Sequence, residues 1–246
     1  MSVFADLVAR LADLLDPLFA GSATAAAIVL FTACVRLLVH PLSRAAARGQ
    51  KAKAALAPRV AQLRVKHRKN PERLQRAVLE LHAAEKVSPL SGCLPSLLQV
   101  PAFFLLYHLF SSTSIGGETN ALLGHSLGAA PLGGRWADTW ADGGVFGSAG
   151  LVYLVLFAVV AGVATFSYRL AKTQMAAAEL PAGAGGQPLP GMDTMARVMP
   201  LVSFLTLVTV AVVPLAAALY VVTSTAWSAA ERATLYRGAA PSPLPT

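Results

Sequence analysis

The sequence predicts an all-α polytopic membrane protein with five transmembrane helices and a helical hairpin on the cytoplasmic side. Three observations carry that prediction. Of the 246 residues, 55% are hydrophobic and only 13% charged, with a mean hydropathy of +0.58; a soluble domain carries about 25% charged residues. Apolar stretches of bilayer length recur along the chain, each near the roughly 20 residues that span a hydrocarbon core of about 30 Å. The basic residues gather in one block between the first two of those stretches.

Residues 1–21 form an amphipathic segment. Phe4, Leu7, Leu11, Leu14, Leu15 and Leu18 recur at helical spacing, with Asp6, Arg10, Asp13 and Asp16 elsewhere on the wheel. Such a helix is too polar to cross and suits the membrane interface. Pro17 and Gly21 are expected to end it. The absence of a basic start, together with the three aspartates, argues against a signal peptide.

The membrane domain is expected over residues 22–232, with spans at about 23–42, 91–111, 149–170, 198–212 and 213–230. The first span, ATAAAIVLFTACVRLLVHPL, contains Arg36 in its inner half. Ionisable residues inside spans are rare and usually mark a function. Arg36 sits roughly 9 Å below the cytoplasmic boundary at 1.5 Å per residue. Two readings stay open there: a guanidinium that snorkels to the headgroups, or one that faces a wet cavity between helices.

Residues 44–88 hold twelve lysines and arginines against three glutamates, a net of +9. The positive-inside rule places this segment in the cytoplasm. Leu56, Val60 and Leu63 form one apolar stripe, in a helix that Pro58 should bend. Asn70-Pro71 restarts a helix as N-cap and first residue, and Leu74, Val78 and Leu81 form the second stripe. The two arms make an antiparallel hairpin. Its exposed cations, Arg59, Arg64, Lys66, Arg68, Lys69 and Arg73, are candidate contacts for anionic lipid headgroups or a macromolecular partner.

The second span holds Pro95, Gln99 and Pro101, and prolines in a span call for neighbouring helices to satisfy the freed backbone groups. Residues 112–148 read as a Gly-rich outside loop with Trp136 and Trp140 as interfacial anchors. The third span ends at Arg169 and Lys172, and a Pro/Gly-rich cytoplasmic loop follows. The apolar run from Val198 to Ala230 is too long for one span and should turn near Val212–Pro214. Residues 233–246 form a short disordered cytoplasmic tail. Every basic cluster then falls inside, with the N-terminus outside and the C-terminus cytoplasmic in the cell membrane.

No nucleophile–base pair, metal-ligand spacing or phosphate loop is visible, so no enzyme activity, metal or cofactor is expected. Cys34 and Cys93 suggest neither a disulfide framework nor a metal site. Thr32, Arg36, Gln99, Tyr168, Thr206, Tyr220 and Ser224 are among the polar residues in or at the ends of the spans. Interhelical hydrogen bonding is their ordinary use. A shared wet cavity is the expectation for Arg36 with Gln99.

Residues 36–107 carry a recognisable pattern. Arg36 precedes LLVHP, the basic hairpin follows with NPERLQRAVLEL in its second arm, and residues 87–107 read VSPLSGCLPSLLQVPAFFLLY. The chain resembles the YidC/Oxa/Alb family of membrane protein insertases, the compact five-span Gram-positive form in particular. AGVATF at 161–166, Met199-Pro200 and PLAAALY at 214–220 extend the likeness over roughly residues 20–235. Val221, Thr225 and Ser88 depart from the family pattern and mark a divergent copy.

The resemblance implies a hydrophilic groove open to cytoplasm and lipid, with Arg36 receiving hydrophilic parts of clients. Gln99, Thr32, Tyr168, Thr206, Tyr220 and Ser224 would line it. The implied partners are nascent membrane proteins, with the Sec translocon and ribosome meeting the hairpin; DNA is not among them. A small-solute transporter or channel is the alternative, and it would need a polar path open to both sides. A membrane-anchored RNA binder using residues 44–88 ranks behind both, since that segment has no interleaved aromatics.

Overall fold

The computed structural model describes residues 2–68, 70–87, 94–115, 117–141, 144–177 and 198–235. They are mostly helical. Helix α1 is Ser2–Phe19, a 3-10 turn covers Ala20–Ser22, and α2 is Ala23–Lys66. Then come α3 (Pro71–Ala84), α4 (Leu94–Ser111), α5 (Trp136–Ala141) and α6 (Ser148–Ala177). A 3-10 segment, Met199–Phe204, leads into α7 (Leu205–Val212), and α8 is Leu215–Leu235. Two helical stretches among the described residues, Val3–Lys66 and Ser148–Thr173, are long and apolar enough to cross a membrane; Leu201–Val212 is a shorter apolar helix.

The chain forms two compact units. The first comprises Met1–Val39, Val100–Ser167 and Val202–Ala229. Its core is built from Ile28, Phe31, Leu106, Leu109, Phe110, Leu132, Tyr153, Val210, Leu215 and Tyr220, all nearly inaccessible. Large apolar side chains on the other faces of the same helices remain exposed, among them Leu37 and Leu38 of α2, Val155 and Val159 of α6, and Val208 of α7. Such surface suits lipid contact.

The second unit comprises His40–Gln99, Tyr168–Leu201 and Ala230–Thr246. Leu56 is buried there, Val60 and Leu63 are partly so, and Leu74, Val78 and Leu81 of α3 are likewise turned from solvent. The α3 start follows the sequence reading: Asn70 Oδ1 accepts the Arg73 amide at 3.0 Å and Pro71 opens the helix. Arg59 and Glu85 form an ion pair.

Three expectations are corrected. The first span and the first arm of the basic segment are one helix: α2 runs 44 residues through Pro41 and Pro58, about 66 Å at 1.5 Å per residue. Both prolines occupy exposed positions, and Ala54, whose carbonyl Pro58 frees, is exposed as well. Water can take the freed carbonyl while the Ala-, Lys- and Arg-rich surroundings favour helix. Pro17 does not end α1, which continues to Phe19. The break falls at Ala20, in the left-handed region at φ 43°.

Residues 112–148, expected as an outside loop, are not a bare loop among the described residues. They contain two small antiparallel hairpins, Ser114–Ile115 with Glu118–Thr119 and Ser126–Leu127 with Ala130–Pro131, a 3-10 turn at Ala121–Gly124, and α5. Gly128, at φ 58°, makes the second turn. Asn120, 5% exposed, donates to the carbonyls of Leu109 at 2.9 Å and Ser112 at 3.0 Å and accepts the Leu122 amide at 3.2 Å. It thereby closes the end of α4. Trp140 is exposed as an interfacial anchor would be, whereas Trp136 packs on Tyr153 and Phe157.

The turn at Val212–Pro214 falls where the sequence places it. Val213 is extended and Pro214 separates α7 from α8. The first amides of α8 have no intrahelical acceptors, and the segment between α4 and α5 provides them: Leu215 N–H bonds Gly134 O and Ala216 N–H bonds Leu132 O, both at 2.9 Å.

Candidate functional site

The site is built in the first unit where α2 meets α8. Arg36 is half-buried, and its Nε–H donates to Ser224 Oγ at 3.3 Å. Ser224 is 5% exposed and shares a hydrogen bond with the Tyr220 hydroxyl one turn earlier on α8. Burying a guanidinium is costly unless polar groups meet it. Ser224 and Tyr220 are such groups, at a point where α8 is otherwise small and apolar.

Toward the start of α8 the structure is sealed. Leu215, Ala216, Ala217 and Ala218 have no accessible surface, and Tyr220 packs on Phe103 and Phe110 with ring centroids 5.9 and 6.0 Å apart. Leu132 and Ala130, from the segment between α4 and α5, complete that plug. Arg36 and Ser224 therefore lie at the edge of a dry core.

The other span hydroxyls behave differently from the expectation of helix-to-helix bonding. Thr32 donates to Ile28 O at 2.7 Å, Thr206 to Ser203 O at 2.7 Å, Thr223 to Leu219 O at 2.8 Å and Ser228 to Ser224 O at 2.9 Å. Each satisfies itself on its own helix, as Ser and Thr often do. Thr32 and Tyr220, at 1% exposure each, face the interior, and Thr206 is partly exposed. Tyr168 is a partly exposed residue of the second unit. Gln99 lies in α4, but its side chain is outside the described residues, as is Lys69 altogether. The structure thus brings together Arg36, Ser224 and Tyr220 of the predicted set.

Arg64, Lys66, Arg68 and Arg73 are exposed in the second unit, whereas Arg59 is held by Glu85. Sequence reasoning missed a further pair there. His40 Nδ1 and Glu231 Oε1 are 2.6 Å apart, with side chains 33% and 14% exposed. The signal was available: His40 is four residues beyond Arg36 on α2, and Glu231 is seven beyond Ser224 on α8, so each continues the face its predecessor starts. Among the described residues no group of three His, Cys, Asp or Glu is placed to hold a metal ion.

These features define a helical membrane protein with a sealed core and with polar chemistry that centres on one arginine between two helices. The chain belongs to the 60Kd inner membrane protein family, the YidC/Oxa/Alb family, whose pattern matches residues 16–241. It is 36% identical over 111 residues to the membrane protein insertase YidC of Clostridium perfringens, covering 45% of this chain and 47% of that one. The Geobacter sulfurreducens YidC is 38% identical over 81 residues, 33% of this chain and 15% of its own. That of Pelagibacter ubique is 40% identical over 87 residues, 35% and 16% respectively. The matched stretch spans less than half the length of these relatives.

Proposed function

We propose that this chain is a membrane protein insertase and chaperone, acting alone or with the Sec translocon through a groove that contains Arg36. The observation that carries this reading is a half-buried arginine tied to Ser224 at the edge of a sealed core. A polypeptide reaching it from the cytoplasm would meet a positive charge partway across the bilayer and a dry barrier beyond. That barrier speaks against a solute transporter, which needs access from both sides.

The physical task is asymmetric. Each central Leu or Ile of a client span contributes about −0.3 to −0.6 kcal/mol on entering lipid, while each charge in its translocated tail costs about 2.5–3.5 kcal/mol at mid-bilayer. A wet groove shortens the dry path, and Arg36 attracts acidic tails into it. The short α7, eight residues long, favours local thinning of the bilayer. The membrane potential and the burial of the client span drive the step, so no nucleotide site is required.

In this reading the five spans place the N-terminus outside and the C-terminus in the cytoplasm. The helix α1 lies in the interface: Val8 and Ala12 are buried in the core while Leu7, Leu14 and Leu18 stay exposed. The basic hairpin meets anionic lipid, ribosome or Sec partners. The test is complementation of an insertase-depleted cell by this chain and by its Arg36→Ala form, with photo-crosslinking from positions beside Arg36 and Gln99. Failure of the chain to restore insertion, with no nascent chain captured, would sink the proposal.

A further inference from the structure

The pair missed in the sequence extends the chemistry of the site. Glu231 is mostly desolvated, and burial of a carboxylate requires a compensating partner, here His40 at 2.6 Å. Both residues belong to the second unit, His40 on α2 and Glu231 on α8, so the pair is a carboxylate site of that unit by itself.

Client spans carry a cationic group suited to such a carboxylate. The tail that crosses tolerates acidic residues, whereas the flank that stays in the cytoplasm is enriched in Lys and Arg. We propose that Glu231 is a specificity-determining residue that receives the basic cytoplasmic flank of a client span, with His40 as its occupant until the client arrives. A histidine suits that role. It holds the carboxylate through one nitrogen, and a lysine or arginine offers three to five donors and a permanent charge in exchange. His40 is a third exposed, so the pair is reachable from outside the protein. A permanent Lys or Arg in place of His40 would keep Glu231 closed to clients.

This inference rests on the insertase reading, and the experiment separates the two. The full-length chain is reconstituted in vesicles of neutral lipid without a membrane potential, which removes the positive-inside bias of the bilayer itself. Two single-span clients are compared, identical except for three lysines or three glutamines in the cytoplasmic flank. The wild-type chain should insert the lysine client about three- to fivefold faster, the range of one partly exposed ion pair. Glu231→Gln should bring that ratio to about one, and Glu231→Lys should invert it. His40→Gln should retain or raise it, and His40→Lys should suppress it. Arg36→Ala should slow both clients when their tails are acidic and leave the flank ratio intact.

If the wild-type ratio persists in Glu231→Gln and Glu231→Lys while Arg36→Ala still slows insertion, the flank proposal is wrong and the insertase reading survives. If the wild-type chain inserts neither client above protein-free vesicles, both fail. Comparable yield and monodispersity of the variants in detergent excludes misfolding as the cause of a changed ratio, since a structural loss would lower both clients alike.

Discussion

Replacing Arg36 with alanine removes a guanidinium from α2 and its hydrogen bond to Ser224. Because Arg36 is half-buried, its field is weakened less than that of a fully solvated charge. With an effective dielectric near 20, a client carboxylate about 6 Å away gains roughly 3 kcal/mol. That is close to the cost of about 2.5–3.5 kcal/mol for one charge at mid-bilayer. One arginine therefore offsets about one acidic residue of a translocated tail, and the expected effect is graded accordingly. With Arg36→Ala, neutral-tailed clients insert at nearly the wild-type rate. A tail with one aspartate slows on the order of 10- to 100-fold. A second aspartate adds little to the ratio of wild-type to variant, because the site has one charge to lose. Arg36→Lys retains the charge and stays within a few-fold of wild type. The assay is the initial rate of protease-protected product in neutral-lipid vesicles. Equal slowing of neutral and acidic tails would show that Arg36 acts through the fold, and the electrostatic reasoning would be refuted.

The remaining predictions concern the scaffold. Asn120→Ala strips two carbonyls and one amide of their partner in a buried position, so the first unit should lose about 2–4 kcal/mol, read as a lowered melting temperature in detergent. Asn120→Asp keeps the acceptor and loses both donors, and should be no milder. A Cβ at Gly150 would sit 2.1 Å from Val145 O and 2.5 Å from Gly144 O, so Gly150→Ala must displace backbone and should cost about 1–3 kcal/mol or more in the same measurement. Arg59→Ala or Glu85→Ala breaks an ion pair that is 60% and 41% exposed, and should change stability by less than about 1 kcal/mol, vanishing at high salt.

Much of the helical order was legible because its signals are local. Asn70-Pro71 carries its own capping chemistry, and the apolar run around Pro214 is too long for one span, so a break there is expected; Val213 is extended at that point. Arg36 stood out because a charge in an apolar stretch needs no structural context to be noticed. The misses were tertiary. The sequence predicts a bend at Pro58 without showing that the span and the first basic arm join; α2 runs through both, with the exposed Ala54 carrying the carbonyl that Pro58 frees. The Gly-rich composition of residues 112–148 concealed Leu122, Ala130 and Leu132, whose burial depends on the helices beneath them. Ser224 could be named a candidate from sequence, but its selection over Thr223 and Thr225 depends on helix phase, which turns its hydroxyl toward Arg36 and theirs onto their own backbone. The His40–Glu231 pair joins residues 191 apart; the spacing puts each on a candidate face, but that they meet depends on tertiary packing.

That phase selection bears on what kind of binding the site can support. Thr32, Thr206, Thr209, Thr223, Thr225 and Ser228 all spend their donors on carbonyls of their own chain segment. They add polarity to the helices without presenting a donor to a ligand. The donor chemistry directed between α2 and α8 is then concentrated in Arg36, with Ser224 holding its Nε. A contact of roughly 3 kcal/mol falls short of the 4.1 kcal/mol that corresponds to millimolar affinity. Such a site recognises the sign of a charge and little else. For an insertase this is the useful regime: a client held at micromolar affinity would remain in the groove, whereas one held weakly can leave sideways into lipid as its own apolar span supplies the larger gain.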